Sequence, residues 1–221
     1  GAAQGLPTAA NYRGSLVLNG QDLEGTIDTT LGNRPTVTAD LRSRTLDLEK
    51  LGGTPAAAPG GRGRAAPKPI DTAGLRAFDA NVKLAATTLV ASGPRIGNAT
   101  LAATLREGVL TIAAFRGSLY GGTLAFSGTV DATQPALALD MRGEATGLSL
   151  SEMLRSTSGS NQFGSAITVT IDGRLNATDI TVRGSGTTGE QIRSSLAGGA
   201  QLGGHLFVGA DRALQMLGSA A

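Results

Sequence analysis

The chain has no cysteine and no tryptophan, a single histidine, and only 3% aromatic residues among its 221. The lack of cysteine excludes a disulfide framework and cysteine-based zinc or redox sites, although a cysteine-free chain can occupy any compartment. With five Phe and no Trp, the bulky side chains that usually fill a β-sandwich core are scarce, so something else is expected to share that space. No apolar run approaches the roughly 20 residues a membrane-spanning helix needs, and no charged-then-apolar signal segment opens the sequence. The net charge is only +2, and the basic residues are spread along the chain rather than clustered with stacking aromatics. Nucleic-acid binding is therefore not expected.

What the sequence has in quantity is glycine and alternation. Glycine accounts for 33 residues, roughly twice its average share of about 7%, which suits many tight turns and thin strands. In Leu105 to Asp131, LREGVLTIAAFRGSLYGGTLAFSGTVD, apolar residues recur every second position between glycine turns. Leu110, Ile112 and Ala114 fall on one side of a strand, and Leu124, Phe126, Gly128 and Val130 on one side of the next. Strands are expected at 14–20, 22–30, 35–43, 79–92, 98–106, 108–116, 122–131, 135–145, 165–175, 178–184 and 201–208, with a hairpin meander as their simplest arrangement. Capping boxes at Ser149-x-x-Glu152 and Thr187-x-x-Glu190 predict short helices near 149–156 and 189–197, and apolar spacing predicts a third near 210–217.

Residues 1–51 read as a first β-repeat segment, 52–74 as a Pro/Gly/Ala-rich linker or disordered loop, and 75–221 as the main β region. Arg62, Arg64 and Lys68 in the linker are read as solvated, with contact to anionic headgroups as the alternative. A repeat crosses the linker: EGTIDTT and PTVTADLRSRTLDLEKL (24–51) line up with SGTVDAT and PALALDMRGEATGLSLSEML (127–154). Asp28 matches Asp131, Pro35 matches Pro135, and Asp40-Leu41-Arg42 matches Asp140-Met141-Arg142. One strand-strand-helix unit used twice suggests a sheet lengthened by stacking.

At ADLRSRTLDLEKL (39–51), LREGVLTIAAFRGSLYGGTLAFSGTVDA (105–132), LALDMRGEATGLSLSEML (137–154) and ITVTIDGRLNATDITVRGSGTTGEQIRSSLAGGAQLGG (167–204), the chain resembles the AsmA-like family of bacterial envelope proteins. The resemblance implies a periplasmic protein, usually anchored in the inner membrane by an N-terminal helix. Its curved β-sheet would carry lipid along a hydrophobic groove between inner and outer membranes. It implies no catalytic residues. The sequence starts and ends as a fragment would, so the tether is expected outside it.

Residues that could carry other chemistry have plainer explanations. Gly184-x-Gly186-x-x-Gly189 follows a strand and opens a helix, with Asp211 further on, as in a dinucleotide fingerprint. However, Ile180-Thr181-Val182-Arg183 alternates like a half-exposed strand, not the doubly buried apolar run of that fold. A glycine turn into a capped helix is the better reading. His205 lacks metal-ligating neighbours at a useful spacing, and Ser118, Ser149 and Ser151 sit in no nucleophile elbow. Asp28, Asp131, Asp140 and Asp172 fall at strand ends and turns, where Asp is ordinary. The sequons at Asn98 and Asn176 are short enough to arise by chance. No enzyme activity, metal or cofactor is expected.

The apolar stripe remains. One choice of face takes Leu16, Leu18, Val37, Leu41, Val82, Leu84, Leu101, Leu105, Leu110, Ile112, Leu124, Phe126, Val130, Leu137, Leu139, Met141, Ile167, Val169, Ile171, Ile180 and Val182, with Ala86, Ala103 and Gly128 as small residues. The fifteen from Val82 to Ile171 are the candidate lipid-binding set. Either a second sheet or the helices close this face as a core, or part of it stays open as a groove for acyl chains. The expected fold is all-β: an antiparallel, repeat-extended curved sheet, groove or half-barrel, with a few short capping helices. The leading function is a non-enzymatic lipid-handling module for envelope maintenance. The alternative is a structural module that pairs by strand addition with other envelope proteins during outer-membrane protein biogenesis.

Overall fold

A computed structural model describes residues 9–51, 70, 72–91, 94–157 and 169–210. Its ten strands form one open sheet in sequential order: β1 (Ala9–Leu18), β2 (Gln21–Thr30), β3 (Thr36–Asp47), β4 (Asp79–Val90), β5 (Arg95–Arg106), β6 (Val109–Leu119), β7 (Gly122–Asp131), β8 (Leu137–Ser149), β9 (Val169–Gly186) and β10 (Ala197–Ala210). Among the described residues four short helices accompany them: α1 (Leu48–Leu51), α2 (Thr72–Arg76), α3 (Leu150–Thr157) and α4 (Gly189–Ser195). The all-β expectation holds.

Three hairpins turn on two residues with positive φ: Asn19-Gly20, Glu107-Gly108 and Tyr120-Gly121. Positive φ at both positions gives the type I′ turn, whose twist matches that of the strands it joins. The meander is broken once, because β3 and β4 run parallel, with Leu41 paired to Leu84 and Leu46 to Leu89. A parallel pair needs a connection that returns the chain along the strand length. The Pro/Gly/Ala-rich stretch lies on that return; its residues 52–69 are outside the described part, and α2 begins at Thr72 just before β4.

Asp79 fixes the start of the parallel pair. Its amide donates to the Pro35 carbonyl at 2.8 Å, and its carboxylate accepts from Arg34 Nε at 2.6 Å and from the Glu107 amide at 3.0 Å. One residue thus ties the β2–β3 connection, β4 and the β5–β6 turn together.

Both repeat copies fold as strand, strand, helix, namely β2-β3-α1 and β7-β8-α3, and their registers coincide. Thr26 pairs with Asp40 in the first copy, and Thr129 with Asp140 in the second. In both, a glycine one residue earlier, Gly25 or Gly128, sits where a Cβ would overlap that aspartate's carbonyl oxygen.

The expected strands 165–175 and 178–184 are one 18-residue strand, β9, bent at Asp179, whose φ is +51°. The α3 cap is as expected, with the Glu152 amide donating to Ser149 Oγ at 3.3 Å. The α4 cap is corrected by one residue. Thr188 is the N-cap and accepts from the Gln191 amide at 3.2 Å, while Gln191 Oε1 accepts from the Thr187 amide at 2.8 Å. The helix expected near 210–217 lies outside the described residues beyond Ala210, where β10 ends.

Hydrogen bonds from the Glu107 amide and then from Arg34 hold the Asp79 carboxyl below the usual carboxylate range. A depressed folded-state pKa stabilises the fold above the unfolded value and stops doing so as pH falls through the folded value. Asp79→Asn is therefore expected to lower the urea midpoint at pH 7, and the gap from the parent should close as pH drops below about 4. Urea titrations between pH 7 and pH 2 check this; a constant gap would refute it.

Candidate functional site

Directly opposed residues on paired strands lie on the same face, so the registers show which side chains meet. One row runs Gly14, Gly25, Leu41, Leu84, Leu101, Phe115, Phe126, Gly143, Ile180, crossing nine strands pair by pair. Beside it runs Ile27, Ala39, Val82, Ala103, Ile112, Gly128, Met141, Val182, Gly198. A third row carries Val37, Ala80, Leu105, Leu110, Val130, Leu139 and Gly184. None of these residues is charged. The connected cluster that continues this face toward the α1 and α3 ends of the strands includes Leu23, Leu46, Leu89, Ile96, Leu124 and Leu148, and Leu46 has no exposed surface.

The candidate set is thereby placed. Val82, Leu84, Leu101, Leu105, Leu110, Ile112, Leu124, Phe126, Val130, Leu139 and Met141 share this face, and Leu137 joins it opposite Gly186. Leu105, Leu124 and Leu137 are buried, and the other nine are half-buried. Val169 and Ile171 lie in β9, their backbones paired with Ala210 and Val208. Ile167 lies outside the described residues.

One face assignment is corrected. Leu110 and Ile112 share the face, but the register shifts between Ile112 and Phe115, so Phe115 takes the place expected for Ala114. Similar shifts occur at Asn98 in β5, at Gly147 in β8 and at Asp179 in β9, all three with positive φ. Each bulge adds one residue and turns the following side chains over. Ile96 thus joins Ala99, Leu148 joins Ala145, and Ile180 joins Ala177 in one cluster despite their odd separations. Strict period two misses these partners; Asn, Asp and Gly at the phase breaks, residues tolerant of positive φ, were the available signal.

All described strands belong to this one sheet, so no second sheet of described residues closes the face. The helices lie at its rims. α1 and α3 follow the ends of β3 and β8 at one margin; α4 packs back on β9 at the other. There Leu196 and Gln191 lie against Gly184 and Gly186, which leave no room for a Cβ. The glycine fingerprint is thus a close strand-helix contact, and its strand is antiparallel to both neighbours, unlike a dinucleotide-binding strand.

Charge is carried on the opposite face. Arg183 Nε bonds Asp140 Oδ2 at 3.0 Å there, and a cavity of about 640 Å³ is lined by groups including Asp22, Glu24, Arg42 and Lys50. A second cavity of about 530 Å³ brings Ser149, Asp172, Arg174 and His205 together. Arg174 pairs with Ser149 on one side and His205 on the other, so serine and histidine stand two strands apart, about 9.6 Å, with no hydrogen bond between them. Ser149 is instead the α3 cap. The other aspartates serve locally: Asp28 accepts from Asn11, Asp131 accepts from the Thr133 hydroxyl and amide, and Asp172 from the Gly173 amide. The two Thr133 bonds, the hydroxyl's first, hold the Asp131 carboxyl below its ordinary range. No group of three or more metal-ligating side chains occurs among the described residues.

The model of the AsmA family matches residues 15–203. The chain belongs to the AsmA family. That span runs from β1 into β10 and takes in almost all of the apolar face. No curated protein and no solved structure matches the chain. Membership in the AsmA family points to an envelope-associated protein, and this is not a known enzyme family. No described helix is long and apolar enough to cross a membrane.

A Cβ on Gly143 would overlap both the Phe126 ring and the Ala125 carbonyl oxygen, so this glycine lets β7 and the ring approach β8 closely at the centre of the face. Gly143→Val is expected to displace the ring and cost about 1–3 kcal/mol, as overpacking does. Thermal and urea unfolding measure this; an unchanged midpoint would show that neither the ring nor the Ala125 backbone depends on a glycine here.

Proposed function

We propose that this AsmA-family chain holds the acyl chains of lipids along its uncharged face, as a non-enzymatic module for moving lipid between inner and outer membranes in a Gram-negative envelope. The observation that supports this reading is the face itself. Half-buried aliphatic side chains continue across the sheet in direct register, and no described strand packs on them. Ten strands at about 4.8 Å spacing give an apolar path of about 43 Å. Contiguous apolar surface beyond a few hundred Å² commonly marks a binding site.

The energetic case follows from the lipid. Carrying a two-chain lipid through water exposes on the order of 30 methylenes at about 0.8 kcal/mol each, or roughly 24 kcal/mol. A continuous apolar path lowers most of that barrier with no chemical step. Acyl chains would lie on the residues between Val82 and Met141, with headgroups at the polar rims. The protein would work in the periplasm, anchored to the inner membrane in its full-length form and in contact with other envelope proteins.

Native mass spectrometry followed by organic extraction tests the proposal. The purified chain is expected to carry lipid, and Leu84→Asp together with Leu139→Asp, both at half-buried positions, should remove it while circular dichroism keeps the sheet signal. Thr111→Asp on the opposite face, where Thr111 is exposed and pairs with Thr104 and Thr129, should leave the lipid in place. A parent chain free of lipid, or variants that retain it, would overturn the reading. So would unfolding of the pair, which would make those side chains core.

A further inference from the structure

We propose that two copies of this chain pair edge to edge through β10, antiparallel about a two-fold axis at Gly204. Among the described strands β10 lies at a sheet edge: it pairs with β9 on one side and is the last in the order. Natural edge strands are usually protected by charge, proline or shortness. β10 has none of these, since its 14 residues, AGGAQLGGHLFVGA, contain no Asp, Glu, Lys, Arg or Pro. Its pairing with β9 is regular from Gln201 to Ala210, so the edge is straight over that length. Leu202, Leu206 and Phe207 are 70%, 61% and 68% exposed.

The spacing of these residues selects a second copy as the occupant. Leu202 lies opposite Ala177 and Leu206 opposite Gly173, on the apolar face. In an antiparallel pair, opposed residues share a face, so a two-fold axis at Gly204 sets Leu202 against Leu206 of the second copy, and Leu206 against its Leu202. Gly204 meets Gly204 at the axis, where no side chain intervenes. Leu-Gly-Gly-His-Leu is thus symmetric in its apolar positions and brings no like charges together. The other edge, β1, carries Arg13 near its centre, which a comparable two-fold would bring close to its own copy. Pairing β10 with β1 of another copy would not close and would grow filaments, whereas a two-fold pair closes. Both apolar faces then lie on the same side, and the path lengthens from ten strands to twenty, about 90 Å.

The chain contains no cysteine, which permits a direct test of register. Under mild oxidation, a Leu202→Cys, Leu206→Cys double variant should form a covalent dimer on non-reducing gels. Each single variant should not, because its two sulfur-bearing positions would be about 13 Å apart along the strand, beyond the roughly 7 Å limit for a disulfide. Sedimentation should show the parent as a dimer and Leu206→Lys, folded by circular dichroism, as a monomer with at least tenfold weaker association. Three results would overturn the proposal: a parent monomeric at every concentration, single variants that cross-link as readily as the double, or a strand of another protein occupying β10. None depends on whether lipid is bound.

Discussion

Neighbouring strands share an apolar face only while hydrogen-bond register and side-chain phase agree, because a slip of one residue turns a whole strand over. In this protein the apolar residues of several strands are out of phase with themselves. β5 has Ile96 at an even position and Ala99, Leu101 and Leu105 at odd ones; β6 has Leu110 and Ile112 even, then Phe115 and Leu119 odd. β8 and β9 break phase in the same way, before Leu148 and Ile180. The bulges at Asn98, Ala113-Ala114, Gly147 and Asp179 absorb the odd residue, so both halves of each strand face one way. β3 and β4 change phase together at Ser43–Thr45 and Ala86–Thr88 and keep their register, bringing Leu46 and Leu89 into the same cluster. The continuous face depends on these phase corrections.

This also explains how much could be read beforehand. Turns are local, so Asn19-Gly20 and Glu107-Gly108 were visible as dipeptides whose residues accept or tolerate positive φ. The repeat was visible because both copies reuse one register, Thr26 to Asp40 and Thr129 to Asp140. Phase breaks are different: to a period of two, a bulge looks like the end of one strand and the start of another, which is why the sequence pattern predicts two strands over β9. For the same reason strict alternation gives Ala114 the place that Phe115 occupies. Most of the face was legible because eleven of its aliphatics lie in unbroken stretches with direct partners. Leu46, Leu89, Ile96 and Leu148 were not, because each lies beyond a break.

The parallel β3–β4 pair joins the two repeat copies into one sheet. A hairpin there would have reversed β4 relative to β3, and the long connection after α1 makes the parallel arrangement possible. Strand direction does not alter which face a residue occupies, so Leu41 meets Leu84 as squarely as Leu84 meets Leu101 across the antiparallel β4–β5 pair. Asp79 locks the junction from the rim through Arg34, the Pro35 carbonyl and the Glu107 amide, leaving the face itself free of ionic groups.

A sheet with one apolar face normally hides it under a second sheet or a layer of helices. Here the charged residues occupy the other face, as Arg183 with Asp140 and the cavity between Glu24 and Lys50 show. The described helices meet only the margins. The face is also thin for its length, because each row contains glycine or alanine, and along the middle row small residues alternate with larger ones: Ala103 beside Val82, Gly128 beside Met141. Small residues lower the surface between larger ones, and the proposed acyl chains would follow that relief. That relief matches the scarcity of bulky aromatics, which in a two-layer core would fill the volume between the layers. Half-burial of Leu84, Leu101, Phe126 and Met141 has the same origin, since each is sheltered by its row and still presents one side outward.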